Sequence, residues 1–187
     1  MLRLPAALVV IAIALGPPLA DHAVNCNRRT GKDAIAGCTE LIRRNPQDAV
    51  AYFNRGFIHG ELGESDAAIA DFTRAIEFNP NFAGAYHMRG FVFDEKGEYE
   101  RAIADYTRAI EIDPQFARAY NSRGVTHRAK GDVDPAIADY TKALELNPTD
   151  ADVYNNRGAA YPGVPTTFQL RIIQSDPNKP QFRQRLQ

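Results

Sequence analysis

The sequence contains no tryptophan, two cysteines and two methionines in 187 residues. Two cysteines are too few for a disulfide scaffold or a four-thiolate zinc site. An excess of charge is also missing: 22 Lys and Arg stand against 23 Asp and Glu, a formal net charge of -1. A dedicated nucleic-acid binder carries a clear basic excess, so the balance argues against that class. Signatures of catalysis are scarce. His22, His59, His87 and His127 are scattered, with no i, i+4 metal pair, no glycine-rich phosphate loop and no serine-elbow motif. No cofactor, metal or small-molecule substrate is indicated, and the chain is expected not to be an enzyme.

What is present begins with a leader. Residues 1–20 read MLRLPAALVVIAIALGPPLA, with Arg3 ahead of an apolar run from Leu4 to Leu15 and small residues near Ala20. This is the layout of a secretory signal peptide. The run falls well short of the ~20 residues of a membrane-spanning helix. The expectation is an exported protein of a bacterial periplasm; the alternative is a membrane anchor through an uncleaved leader. Residues 162–187 contribute Arg171, Lys179, Arg183 and Arg185 against Asp176, which leaves residues 21–161 mildly acidic at -5.

The strongest signal is a repeat. Pro46, Pro80, Pro114 and Pro148 keep a fixed period, as do Tyr52, Tyr86, Tyr120 and Tyr154. The same period carries Arg-Gly at Arg55, Arg89, Arg123 and Arg157, then Gly63, Gly97 and Gly131, then Ala68, Ala102 and Ala136, then Phe72, Tyr106 and Tyr140. Such periodicity means stacked supersecondary units rather than one globular core. Within a unit, Tyr52, Gly56 and His59 share one helix face, Gly63 supplies a turn, and Ala68, Phe72, Ala75 and Ile76 form a second apolar stripe. Asn79-Pro80 stops that second helix. Each unit is therefore a helical hairpin that must stack on its neighbours to bury its apolar face.

These positions resemble the tetratricopeptide repeat family, in a bacterial exported form with Arg-Gly and Ala-Asp-Tyr repeats. The resemblance implies an all-α, right-handed superhelical solenoid of antiparallel helix hairpins. Three copies fit at 49–82, 83–116 and 117–150, followed by a partial repeat at 151–161 and an irregular tail at 162–187. Residues 21–48 read as an arm and a capping helix, in which Ala34 and Cys38 take the places of Ala68 and Phe72.

Export would place Cys26 and Cys38 in an oxidising compartment, where a disulfide tying the arm to the capping helix is expected. The other reading leaves Cys26 free and Cys38 in the apolar place of Phe72. A guanidinium at a helix-packing position needs a partner, and Asp71, Asp105 and Asp139 recur in step with the arginines. Two schemes follow, one pairing within a unit and one reaching the preceding unit, as Arg157 would reach Asp139. Two independent solvated stripes are the alternative to both.

Family resemblance implies a concave groove, lined by successive first helices, that binds a peptide or helix of a partner protein. Matching positions place Phe53, Phe57, His87, Phe91, Asn121 and Val125 in its lining, with Arg118, Gly60, Asp94 and Arg128 at its border. Phe57 and Phe91 would form an aromatic strip, with Arg118 and Arg128 suiting an acidic or carboxylate-bearing segment. The family's carboxylate clamp uses Lys and Asn where this chain has Phe53, Phe57 and Met88. The expected function is a non-catalytic interaction scaffold, or alternatively a docking subunit of a cell-envelope enzyme or assembly complex. Oligomeric state is left open by the sequence.

Overall fold

The computed structural model describes Cys26 and residues 31–161. The leader at 1–20, the tail at 162–187 and all of the arm except Cys26 and the residues from 31 lie outside the described residues. Every described element is an α-helix: α1 (Gly31–Arg44), α2 (Ala49–Glu61), α3 (Ser65–Phe78), α4 (Ala83–Glu95), α5 (Tyr99–Ile112), α6 (Ala117–Lys130), α7 (Val133–Leu146) and α8 (Ala151–Ala160). The chain is a helical repeat solenoid in which α2/α3, α4/α5 and α6/α7 are the hairpins. Helix α1 packs on α2 in the place of a second helix, and α8 packs on α7 as a first helix.

The hairpin turn is set by one glycine. Gly63, Gly97 and Gly131 have φ of 74°, 73° and 90°, a left-handed conformation that costs glycine little and strains residues with a Cβ. The residue that follows then donates its N–H back across the turn, Glu64 to the His59 carbonyl, Glu98 to Phe93 and Asp132 to His127, each at 2.9 Å. Second helices end two residues before proline. The side chains of Asn79 and Asp113 accept from the backbone of Asn81 and Gln115 and bend the chain toward the next unit.

A second glycine in each unit permits close approach. A Cβ on Gly124 would stand 2.8 Å from a ring carbon of Tyr140, and one on Gly90 would stand 3.0 Å from the ring of Tyr106. The second helix therefore lies directly against the first, with Ala68, Phe72, Ala75 and their counterparts fully buried at the contact. First helices also touch the first helices of neighbouring units, whereas successive second helices make no such contact among the described residues. The first helices consequently lie side by side along one face of the array, here termed the inner face.

Candidate functional site

The repeated Tyr-x-x-Arg-Gly sequence builds a ladder. Arg55 donates through Nε and Nη2 to both carboxylate oxygens of Asp71 at 2.7 Å, and Arg89 grips Asp105 with the same two distances. Arg123 holds Asp139 at 2.9 and 2.7 Å. The observed pairing is thus within a unit, in a two-pronged geometry that a lysine cannot supply. The aspartates are buried, and the glycine after each arginine lets the aspartate-bearing helix come near enough. Each guanidinium also lies over the tyrosine one turn earlier, at 5.5 Å for Tyr52 and 5.7 Å for Tyr86. Its Nη1 donates to a threonine of the preceding unit: Arg55 to Thr39, Arg89 to Thr73 and Arg123 to Thr107. Arg157 lies over Tyr154 at 5.5 Å. The ladder therefore joins helices within a unit by charge and successive units by a hydroxyl.

At the N-terminal end, Cys26 and Cys38 form a disulfide with Cα atoms 4.6 Å apart. Both residues are buried with Ala34 and Ile58, so the bridge packs against α2. At this end the residue before α2 is Asp48, whose side chain accepts from the N–H groups of Val50 and Ala51. Asp150 caps α8 in the same way, whereas the counterparts Phe82 and Phe116 pack against the first helix of the preceding unit.

That difference decides the fate of several residues expected in the groove. Phe82 packs on Phe53 at 4.8 Å between ring centroids, and Phe116 packs on His87 at 5.0 Å. Phe53 and His87 also meet the second-helix aromatics Phe72 and Tyr106 of their own units. His87 is 5% exposed and so belongs to the packed interior, not to the groove lining. Burial, with the Arg118 cation second, pushes its pKa from 6.5 down to about 4, so the ring is neutral at physiological pH. Asn121, one period later, accepts from the side chain of Asn156 on α8.

The inner face contains two distinct junctions. Between α4 and α6 the contacts are polar: His87 Nε2 lies 3.1 Å from Ser122 Oγ, Tyr106 shares that serine, and the buried Thr126 donates to Asp94 at 2.7 Å. Val125 packs partly into the cluster around Tyr140, so it does not extend an apolar strip. Between α2 and α4 the contacts are apolar. Phe57, Phe72, Met88, Phe91 and Val92 line a cleft of about 280 Å³, with Gly60 at one wall and Glu61 and Glu95 at its rim. Phe91 is 42% exposed there, a large apolar side chain turned to solvent. Arg118 and Arg128, expected at the groove border, lie on α6 and take no part in the lining of this cleft. Met88, Val92 and the two glutamates are the site residues that sequence reasoning did not assign.

No group of acidic, histidine or cysteine side chains among the described residues could hold a metal ion. Among these residues no helix is long and apolar enough to cross a membrane.

Family comparison agrees with this architecture. Descriptions of the tetratricopeptide repeat match residues 49–82 and 72–104, and those of the TPR repeat match 93–131 and 126–162. The matches run without a break from residue 49 to residue 162, and the chain belongs to the tetratricopeptide repeat family. No curated protein matches the chain. Among solved structures it is similar to MamA, with a TM-score of 0.74 at 20% identity over 92% of this chain and 98% of that one. It is also similar to the first TPR domain of Spaghetti (RPAP3), solved with the HSP90 peptide SRMEEVD, with a TM-score of 0.60 at 23% identity over 61% of this chain and 90% of that one. For the Arabidopsis OM64 TPR domain the values are 0.59 and 25%, over 60% and 93%. These are likenesses of fold.

Proposed function

We propose that this protein is a non-catalytic scaffold that binds a segment of a partner protein on its inner face, with the α2/α4 cleft as the anchoring point. The observation that carries this reading is Phe91, a large aromatic side chain 42% exposed beside a cleft whose other walls are apolar. Exposed apolar surface next to a shaped recess is a feature of interaction sites, and aromatic anchors dominate their energetics. The fold supports the reading as well, since a domain of the same architecture has been solved with a peptide.

The test uses the full chain, Phe91→Ala and Val125→Ala as baits against a bacterial envelope extract, with melting curves recorded for each. Capture lost with Phe91→Ala, retained with Val125→Ala and accompanied by nearly unchanged melting supports the cleft. Equal capture by all three would move the binding surface elsewhere, and a matching fall in melting would make Phe91 a packing residue.

We also propose that the protein is exported to an oxidising compartment such as a bacterial periplasm. The leader-like residues 1–20 and the Cys26–Cys38 pair support this together, because a stable disulfide belongs to such compartments. Intact-mass measurement on protein from fractionated bacteria should find the leader removed and two hydrogens missing in the periplasmic fraction. Recovery in the cytoplasm with the leader intact and two alkylatable thiols would contradict it.

A further inference from the structure

We infer that the segment bound in the α2/α4 cleft carries a large apolar side chain beside a lysine or arginine, so that the partner's docking motif is cationic as well as apolar. This inference rests on the groove reading above and names the chemistry of its ligand. The volume sets the first condition. About 280 Å³ lies just below the ~300–1,000 Å³ of sites for drug-sized molecules, and suits one or two side chains of a peptide. Its walls, Phe57, Phe72, Met88, Phe91 and Val92, select apolar groups, and Met88 adds an adaptable surface.

The rim sets the second condition. Glu61 is the last residue of α2 and Glu95 the last of α4, both are exposed, and both border the cleft. Neither carboxylate has a cationic partner among the described residues. A carboxylate at a helix C-terminus stands at the negative end of the dipole, where it is disfavoured by the fold. Two such placements on one rim are therefore explained better by what the rim meets than by helix stability. Carboxylates and carbonyls add to one local negative potential, which attracts a cationic side chain and repels an anionic one. The net charge of -5 over residues 21–161 acts in the same direction. An acidic ligand, by contrast, would have to present its charge to Glu61 and Glu95 while its apolar group entered the cleft.

Anisotropy titrations of the full chain with two short dye-labelled peptides test this, one with repeated Leu-Arg pairs and one with Leu-Glu pairs. The Leu-Arg peptide is expected to bind at least about tenfold more tightly, with a preference that shrinks as salt is raised. Glu61→Lys combined with Glu95→Lys should reverse the order, and Phe91→Ala should weaken binding about 30-fold. Both glutamates are exposed, so the charge-reversed chain should retain its circular dichroism spectrum. Equal binding of both peptides, each lost with Phe91→Ala, would overturn the charge assignment and leave the groove reading standing. A Leu-Arg preference unaffected by all three substitutions would overturn both. Failure of the Leu-Arg peptide to bind would overturn this inference alone. So would a concentration-dependent dimer abolished by Phe91→Ala, since a second copy would then be the occupant.

Discussion

The two inner junctions of the array share one backbone geometry and differ in how their side chains meet. At α4/α6, His87, Ser122, Tyr106, Asp94 and Thr126 satisfy one another and leave little apolar surface turned outward. At α2/α4, the contacts are Phe57, Met88, Phe91 and Val92, and the surface opens into a cleft. The ladder of arginine, aspartate and threonine runs through both units unchanged. A repeat protein can thus hold its units together on one face with a uniform device, while the inner face varies from unit to unit. Uniform positions report on stacking, and variable ones set what the inner face presents.

The largest expected effect concerns the uniform device. Asp105→Ala leaves Arg89, half-buried, without its two-pronged acceptor, and should cost about 3 kcal/mol in urea unfolding. Asp71→Ala should cost a similar amount, because the same geometry recurs one unit earlier. A loss below about half a kcal/mol would give the ladder the worth of a solvated surface pair. Strongly unequal losses would break the claim that the ladder is common to both junctions.

The next effect separates the junctions by pH. His87 is held near 4 in the folded chain against 6.5 for an ordinary histidine. Between those values the unfolded chain takes up a proton that the folded chain does not. This contribution to stability is complete above pH 6.5 and is lost as the pH falls toward 4, with a total of roughly 3 kcal/mol. His87→Phe installs the residue found at Phe53, between the same kinds of aromatic neighbours, and should remove this component. Unfolding at about pH 7 and about pH 4.5 should show the wild type losing roughly 2 kcal/mol more than the variant. Equal losses would mean that His87 protonates within the folded junction without penalty. The smallest stability effect belongs to Phe91→Ala, about 1 kcal/mol, because 42% of that residue is already exposed in the folded chain.

Much of the fold was legible because the repeat is dense: proline, tyrosine, arginine and glycine mark every helix end and every close contact in step. The pairing of Arg89 with Asp105 rather than Asp71 required the structure, since the periodic aspartates offer it a partner in either unit. The threonines Thr39, Thr73 and Thr107 did carry a readable signal, the same period as the arginines they meet, and so did the linker aromatics Phe82 and Phe116. Reading those aromatics would have moved His87 from the groove to the interior. The cleft was less legible, because Phe57, Phe91 and Val125 hold the same position of the repeat, yet the two phenylalanines line the cleft and Val125 does not. Position within a repeat indicates the face of a helix, and only the neighbours determine whether that face is open. Charge beside the cleft was not legible either: Arg118 and Arg128 lie on α6, away from its lining, and Glu61 and Glu95 border it.

Met88 offers the most direct measurement of where binding occurs. The sequence has two methionines, Met1 and Met88, and Met88 lines the cleft. In the chain labelled at its methionine methyl groups, titration with the Leu-Arg peptide should shift the Met88 resonance and saturate along the same curve as the anisotropy. Saturable binding that leaves Met88 unmoved would contradict the account, because the partner would then be held outside the α2/α4 cleft.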